Sequence, residues 1–403
     1  MINESNLNFY GLGIIPKLLD TLEKLKFKHP TPIQSRVIPS AIEGKDVIGI
    51  AQTGTGKTLA FGIPLIQRLA NLQGRALVLT PTRELAIQVE ENILKISRAV
   101  GIKTAVLIGG DSAFKQVKHL EGGARVIIAT PGRLIDLMNQ RKVHLNDIHI
   151  LVLDEADRML DMGFAPQVDK ILKVIPTQRQ TMLFSATMPS AIIKMTSKHM
   201  KTPTQVEVAP AGTTAQGVTH ELFIVRRENK KELLKKILEQ YRGPVLLFCR
   251  TKSGTTKTVR TIIEMGHRAA CMHSDRSLEQ RKKALEGFKL GKYRILAATD
   301  IASRGIDVAG IELVINYDLP DDAENYVHRI GRTGRAGATG HAISFASPEQ
   351  HADVLKIEQL TKIALPISKH SDITSANFEK SKNVFSYSKT AAQRRGRFPR
   401  RRR

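Results

Sequence analysis

Short apolar runs recur along the chain at 47–51, 75–80, 104–109, 125–129, 148–153 and 180–184, and again at 220–225, 244–249, 294–298, 313–317 and 341–346, with helix-like segments between them. Continuous apolar runs suit strands buried on both faces, and their alternation with helices predicts parallel sheets covered by helices on each side. The expected fold class is α/β. The stretch from Ala209 to Gly217 is small and polar, lacks periodicity and reads as a linker. It separates a first unit, 1–208, from a second, 218–368. Beyond Pro366 the chain turns to Ser, Lys, Asn and Thr and ends in a dense arginine cluster. That composition predicts a disordered basic tail over 369–403.

Ala51, Gln52, Thr53, Gly54, Thr55, Gly56, Lys57 and Thr58 follow the run Val47 to Ile50 and precede a helix-compatible segment beginning at Leu59. Strand, small-residue loop and helix together make a phosphate site. Backbone N–H groups converge on phosphate oxygens, the helix points its positive end at them, Lys57 adds a charge and Thr58 offers a hydroxyl to Mg²⁺. The general pattern begins with glycine, and here that position is Ala51. A flexible loop before a helix is the bland alternative. Asp154, Glu155, Ala156 and Asp157 close the run Ile148 to Leu153. Ligands collect at the carboxyl ends of parallel strands, so these carboxylates should face the same crevice as 51–58. Asp154 would then hold Mg²⁺, and Glu155 would orient and deprotonate the water that attacks a phosphoryl group. An acidic helix start is common for one such tetrapeptide; its pairing with 51–58 argues for chemistry.

With these two segments the chain resembles the DEAD-box RNA helicases, from Phe9 to about Pro366. The resemblance rests on an ordered set: Phe9 ahead of Phe27 to Gln34, then 51–58, Pro81 to Ala86, Gly109-Gly110, Thr130 to Arg133, 154–157 and Ser185 to Thr187. It continues through Leu247 to Thr251, Gln280-Arg281 with Phe288, Ala298 to Asp300, Arg304 to Asp307, and His328 to Arg335. Lys26 and Ser303 depart from the usual glycine and alanine, and neither alters the assignment. The compact chain is similar to the bacterial RhlE-type branch.

The resemblance implies two tandem RecA-like parallel-sheet domains that share one ATP site. Gln34 would read the adenine edge and Phe9 would stack on the base, although Phe9 taken alone is better explained as a core residue at a helix start. Gln52 to Thr58 would hold the phosphates, Gly305 and Asp307 would meet the nucleotide from the second domain, and Arg332 and Arg335 would act as fingers on the transferring phosphoryl group. For Arg329 an RNA-contacting role stays open. Arg83, Gly110, Thr130, Arg133, Arg250 and Thr299 match positions that grip the RNA backbone, which carries no sequence information. Ser185, Thr187 and His328 match elements that couple hydrolysis to strand separation.

Composition narrows the function classes. With 62 Lys and Arg against 38 Asp and Glu the net charge is +24, and setting aside the seven arginines after Thr390 still leaves +17. An excess of this size points to a polyanion, with RNA favoured over an anionic membrane because no basic amphipathic helix stands out. The arginine tail would hold RNA non-specifically. The 2 cysteines, Cys249 and Cys271, sit in apolar strand-like segments and read as reduced core residues, and the 12 histidines show no zinc spacing. The polar start without an apolar leader predicts a cytoplasmic protein. The leading expectation is an RNA-stimulated ATPase that unwinds short duplexes or remodels RNA–protein complexes, acting alongside ribosome-assembly or RNA-degradation machinery. An ATP-gated clamp or annealing chaperone is the alternative, and a DNA-directed motor is disfavoured by the motif set.

Overall fold

The computed structural model describes residues 8–52, 54–208, 217–303, 308, 310–334, 339–373 and 376–379. Its first sheet contains β1 (Val47–Ile50), β2 (Arg75–Leu79), β3 (Thr104–Leu107), β4 (Val126–Ala129), β5 (Ile148–Asp154), β6 (Gln180–Ser185) and β7 (Thr204–Glu207), in the order β3-β4-β2-β5-β6-β1-β7. The second contains β8 (Val218–Ile224), β9 (Val245–Phe248), β10 (Ala269–Met272), β11 (Ile295–Ala298), β12 (Leu313–Asn316) and β13 (Gly340–Ala346), in the order β10-β11-β9-β12-β13-β8. Every described pairing is parallel.

Both faces of each sheet are buried, which is why the strands read as unbroken apolar runs. In β2, Ala76 and Val78 enter one core cluster while Leu77 and Leu79 enter another. In β9, Val245 and Leu247 go to one side, Leu246 and Phe248 to the other. Alternate side chains leave a strand on opposite faces, so a doubly covered strand must be apolar at every position. Cys249 lies in this core, its thiol pushed up to about 12 by burial, and Cys271 is half-buried; both are free.

All eleven apolar runs form strands, and two further strands lie outside those runs: β7, and β10, whose strand-like character showed only in the segment around Cys271. Both are sheet edges. In β7 only Val206 is buried among Thr204, Gln205 and Glu207, and β10 is a short Ala-Ala-Cys-Met segment with only its end residues buried. Residues 369–373 and 376–379 also differ from the expectation of a tail that leaves the core at 369. Ile373 is buried in the second core, Ala376 N–H donates to the Ile224 carbonyl at 3.0 Å, and Phe378 stacks on His351 at 4.6 Å. Two apolar side chains among polar neighbours suffice to lay this segment along β8, a pairing that composition averages hide. Residues 380–403, with the arginine cluster, lie outside the described residues.

Candidate functional site

At the end of β1 the chain turns sharply into the helix Lys57–Asn71. Gly56 caps that helix at φ +91°, and a Cβ there would collide with the Gln34 amide. Glycine is required on both counts. The Gln34 Nε2 donates to the Gly56 carbonyl at 3.0 Å, while its Oε1 accepts from the Thr31 amide at 2.9 Å. Gln34 therefore braces the loop as well as lying beside it. Thr55 donates to the Gln52 carbonyl, and Lys57, only 7% exposed, folds back to donate to the Ala51 carbonyl at 2.8 Å. Gly54 sits at φ +86° and Thr58 is half-buried on the first helical turn. Thr53 lies outside the described residues. Phe9 is 3% exposed and packed with Leu12 and Ile14, so the core reading of this ring holds and the structure offers no open face for base stacking.

Asp154 ends β5 and is buried. Burial pushes its carboxyl up to about 7, against the pull of Lys57. Its Oδ1 has no hydrogen-bond partner among the described residues. Glu155 follows in the left-handed region at φ 53°, ψ 52°, a conformation that costs a non-glycine residue about 1 kcal/mol or more. Its carboxylate is paired with Arg158 at 3.1 Å, both side chains almost fully buried. Asp157 turns the other way: its Oδ2 accepts from the amides of Ala186 and Thr187 at 2.9 Å each and from the Thr187 hydroxyl at 3.2 Å.

β6 lies between β1 and β5, and its last residue ties the two loops together. The Ser185 carbonyl accepts from the Ala51 amide at 3.0 Å, and its hydroxyl accepts from the Asp157 amide at 3.2 Å. Thr187 also reaches across to the second sheet, where its hydroxyl donates to Glu324 at 3.4 Å. Burial, then Asp322, Asp161 and Asp157, raise the Glu324 carboxyl above its ordinary value. A cavity of about 250 Å³ opens here between Gln52, Thr187, Met188, Glu324, His328 and Leu360.

A second, narrow crevice of about 10 Å³ brings Arg158 against Asn325, His328, Arg329 and Arg332. Arg332 is 3% exposed, and its Nε donates to the His328 carbonyl at 3.2 Å. Arg329 is not an RNA-facing residue. It is 2% exposed, holds Asp300 with two nitrogens at 2.5 and 2.7 Å, donates to Asn316 and the Asp318 carbonyl, and stacks over Phe248. Gly305, Asp307 and Arg335 lie outside the described residues.

On another side of the junction, a groove of about 370 Å³ is lined by Arg83, Gly109, Thr130 and Arg133 from the first sheet and Ser274 and Arg281 from the second. Gly110, at φ +77°, lets the chain pass against the Arg83 guanidinium. Arg133 donates to the Asp111 backbone carbonyl at 3.2 Å and to the Gln116 side-chain Oε1 at 2.9 Å. Ser274 also lines an adjoining cavity of about 520 Å³ with Arg250, Thr251, Lys252 and Thr299. The six candidate RNA residues thus lie along one run of surface that crosses both sheets. The buried Arg281–Glu84 pair, at 3.0 Å, clasps the two sheets beneath it.

Arg158, Glu324 and Ser274 are site residues outside the motif set, and Glu84 and Arg281 fall inside motif segments that give them no role of their own. For Arg158 a signal was available: an opposite charge in the first turn of the helix that Glu155 precedes lies close enough along the chain to pair with it. Glu324 and Ser274 act only through the docking of two distant segments, which local pattern does not encode.

Two family descriptions match the chain: "DEAD/DEAH box helicase" over residues 31–195 and "Helicase conserved C-terminal domain" over 229–337. The chain is 42% identical over 362 residues to the ATP-dependent rRNA helicase RRP3 of Meyerozyma guilliermondii, covering 89% of this chain and 76% of that one. It is 44% identical over 356 residues to the ATP-dependent RNA helicase DbpA of Bacillus subtilis, covering 87% and 74%. Among solved structures it is similar to S. cerevisiae Dbp5 bound to RNA and ADP BeF3, with a TM-score of 0.81 at 29% identity, over 90% of this chain and 95% of that one. A DEAD box protein from Methanococcus jannaschii has higher identity, 37%, but a TM-score of 0.54 over comparable coverage.

Proposed function

Since this chain belongs to the DEAD-box family of ATP-dependent RNA helicases, we propose that its two sheets form one ATP site and one RNA groove, so that hydrolysis is coupled to local separation of short RNA duplexes or to remodelling of RNA–protein complexes. The observation that carries this reading is the position of Ser185, bonded at once to the loop after β1 and to the acidic turn after β5, two residues before Thr187 meets Glu324 of the second unit.

In this reading Gln34 meets adenine and Gln52 to Thr58 wrap the phosphates, with Lys57 leaving the Ala51 carbonyl for the phosphate oxygens. Phe9 would have to leave its core position to stack on the base. The partnerless Oδ1 of Asp154, buried beside Lys57, fits a hard divalent cation, with Thr58 as the second protein ligand. Among the described residues no cluster of three His, Cys, Asp or Glu is placed to hold a metal, so substrate phosphates and water would complete the shell. Mg²⁺ would neutralise charge developing between the β- and γ-phosphates. Glu155 takes a proton from the attacking water as its oxygen bonds to the γ-phosphorus and the bond to the ADP oxygen breaks. Arg332 and Arg335 stabilise the transferring charge, Gly305 and Asp307 complete the nucleotide contacts, and His328, with Ser185 and Thr187, links this event to the RNA groove. A finger typically changes turnover by about 10³ to 10⁵, roughly 4 to 7 kcal/mol of barrier, enough to silence hydrolysis whenever the second sheet is undocked.

Arg83, Gly110, Thr130, Arg133, Arg250 and Thr299 grip sugar and phosphate, which makes binding largely independent of sequence and sensitive to salt. We take 1–208 as the first unit and 218–368, with the segment to Glu379 that packs on it, as the second, place the protein in the cytoplasm in the RhlE-type branch, and give the arginine cluster after Thr390 the role of a non-specific RNA tether. Ribosome-assembly and RNA-degradation machinery are the protein partners to test. A strand-separation assay on a short RNA duplex decides the reading: ATP should release the strand, and a non-hydrolysable analogue should not sustain multiple rounds. Release at equal yield without nucleotide would contradict it.

A further inference from the structure

Two arginines, Arg158 and Arg329, head the largest side chains that the fold buries completely. They are treated differently. Arg329 bonds through three of its nitrogens to Asp300, Asn316 and the Asp318 carbonyl. Arg158 bonds only through Nη1, to Glu155, and its buried Nη2 has no hydrogen-bond partner among the described residues. A buried donor left unpaired costs about 1–3 kcal/mol, so the fold gives up stability at this point. A mere neutraliser of Glu155 would not need to face this way. The guanidinium lies in the narrow crevice that Asn325, His328 and Arg332 line from the second sheet. Arg158 is therefore bonded to the candidate base and shares the lining of this crevice with the segment that carries the finger.

We propose that Arg158 is a positioning residue that makes the placement of Glu155 conditional on docking of the second sheet. This rests on the reading of Glu155 as the base. With the sheets docked, the crevice excludes water, the attraction between guanidinium and carboxylate is strong, and Glu155 is held in one orientation despite its left-handed backbone. With the sheets apart, Arg158 is hydrated, the pair weakens to the level of a surface ion pair, and Glu155 is no longer pinned. The base and the finger then become competent together, a tighter gate than a finger alone supplies.

The test compares Arg158→Met, which keeps length and loses charge, with Arg158→Lys, which keeps charge and loses the fork. Arg158→Met should lower RNA-stimulated kcat about tenfold or more, as misplaced catalytic groups do, with the KM for ATP and the RNA half-saturation within about twofold of the parent. Arg158→Lys should lie between the two. Parent-like kcat in Arg158→Met overturns the proposal, and so do equal shifts in kcat, KM and RNA binding, which would make Arg158 a packing residue. A lysine variant no better than methionine removes the charge from the account. Should Arg158→Met not fold, Arg158→Lys decides alone, since parent-like kcat there overturns the role of the fork. RNA-stimulated hydrolysis by the parent, run alongside, tests the reading of the site separately: if the parent is stimulated and both variants match it, only this inference falls.

Discussion

Gln34 holds Thr31 with one end of its amide and Gly56 with the other, and in the proposed reading it thereby connects base recognition to the shape of the phosphate loop. Residues of this kind were legible in the sequence because glycine, lysine and carboxylates at strand ends have few structural uses in combination. What the sequence could not supply was their partners. Glu155 is buried against Arg158, and Phe9, a core residue when read alone and a stacking ring only by the resemblance, does fill a core. Removing the charge of Glu155 while keeping its shape isolates its chemistry. Glu155→Gln should retain ATP and RNA binding and lower turnover by about 10²-fold or more, the usual scale of general-base catalysis. Nucleotide binding and steady-state hydrolysis measured on the same preparation check this, and ordinary turnover would remove Glu155 from the catalytic assignment.

Among elements, the central strands announced themselves because both faces are buried, whereas edge strands β7 and β10 are polar or small enough to pass for loop. The same limit hid the helix Leu278–Lys289. Half of its 12 residues are charged, yet Leu278 enters the core cluster of the first sheet and Arg281 pairs with Glu84 there, so it is a strut between the sheets. Both charged groups are nearly buried, and removing one leaves the other desolvated whenever the sheets are docked. Arg281→Met should therefore oppose docking by about 3 kcal/mol and raise the RNA half-saturation of hydrolysis roughly a hundredfold. A titration of ATPase rate against RNA measures it; an unchanged half-saturation would show that the pair does not report on docking.

For the whole molecule, a net charge of +24, most of it outside the arginine tail, matches a groove that runs from Arg83 across Ser274 to Arg250. Composition gave the partner's sign but not its path, because the path exists only when two sheets meet. Deleting residues 390–403 should weaken RNA binding and flatten its salt dependence while leaving hydrolysis at saturating RNA in place. An unchanged salt slope would contradict a tether role. Since ATP and RNA both favour the docked arrangement in this account, each must tighten binding of the other by the same factor. The most direct test is ATP hydrolysis measured with single-stranded RNA, with DNA of the same sequence and with neither, using Glu155→Gln as the blank. The account predicts strong stimulation by RNA and little by DNA; equal rates in all three, alongside tight RNA binding, would contradict it.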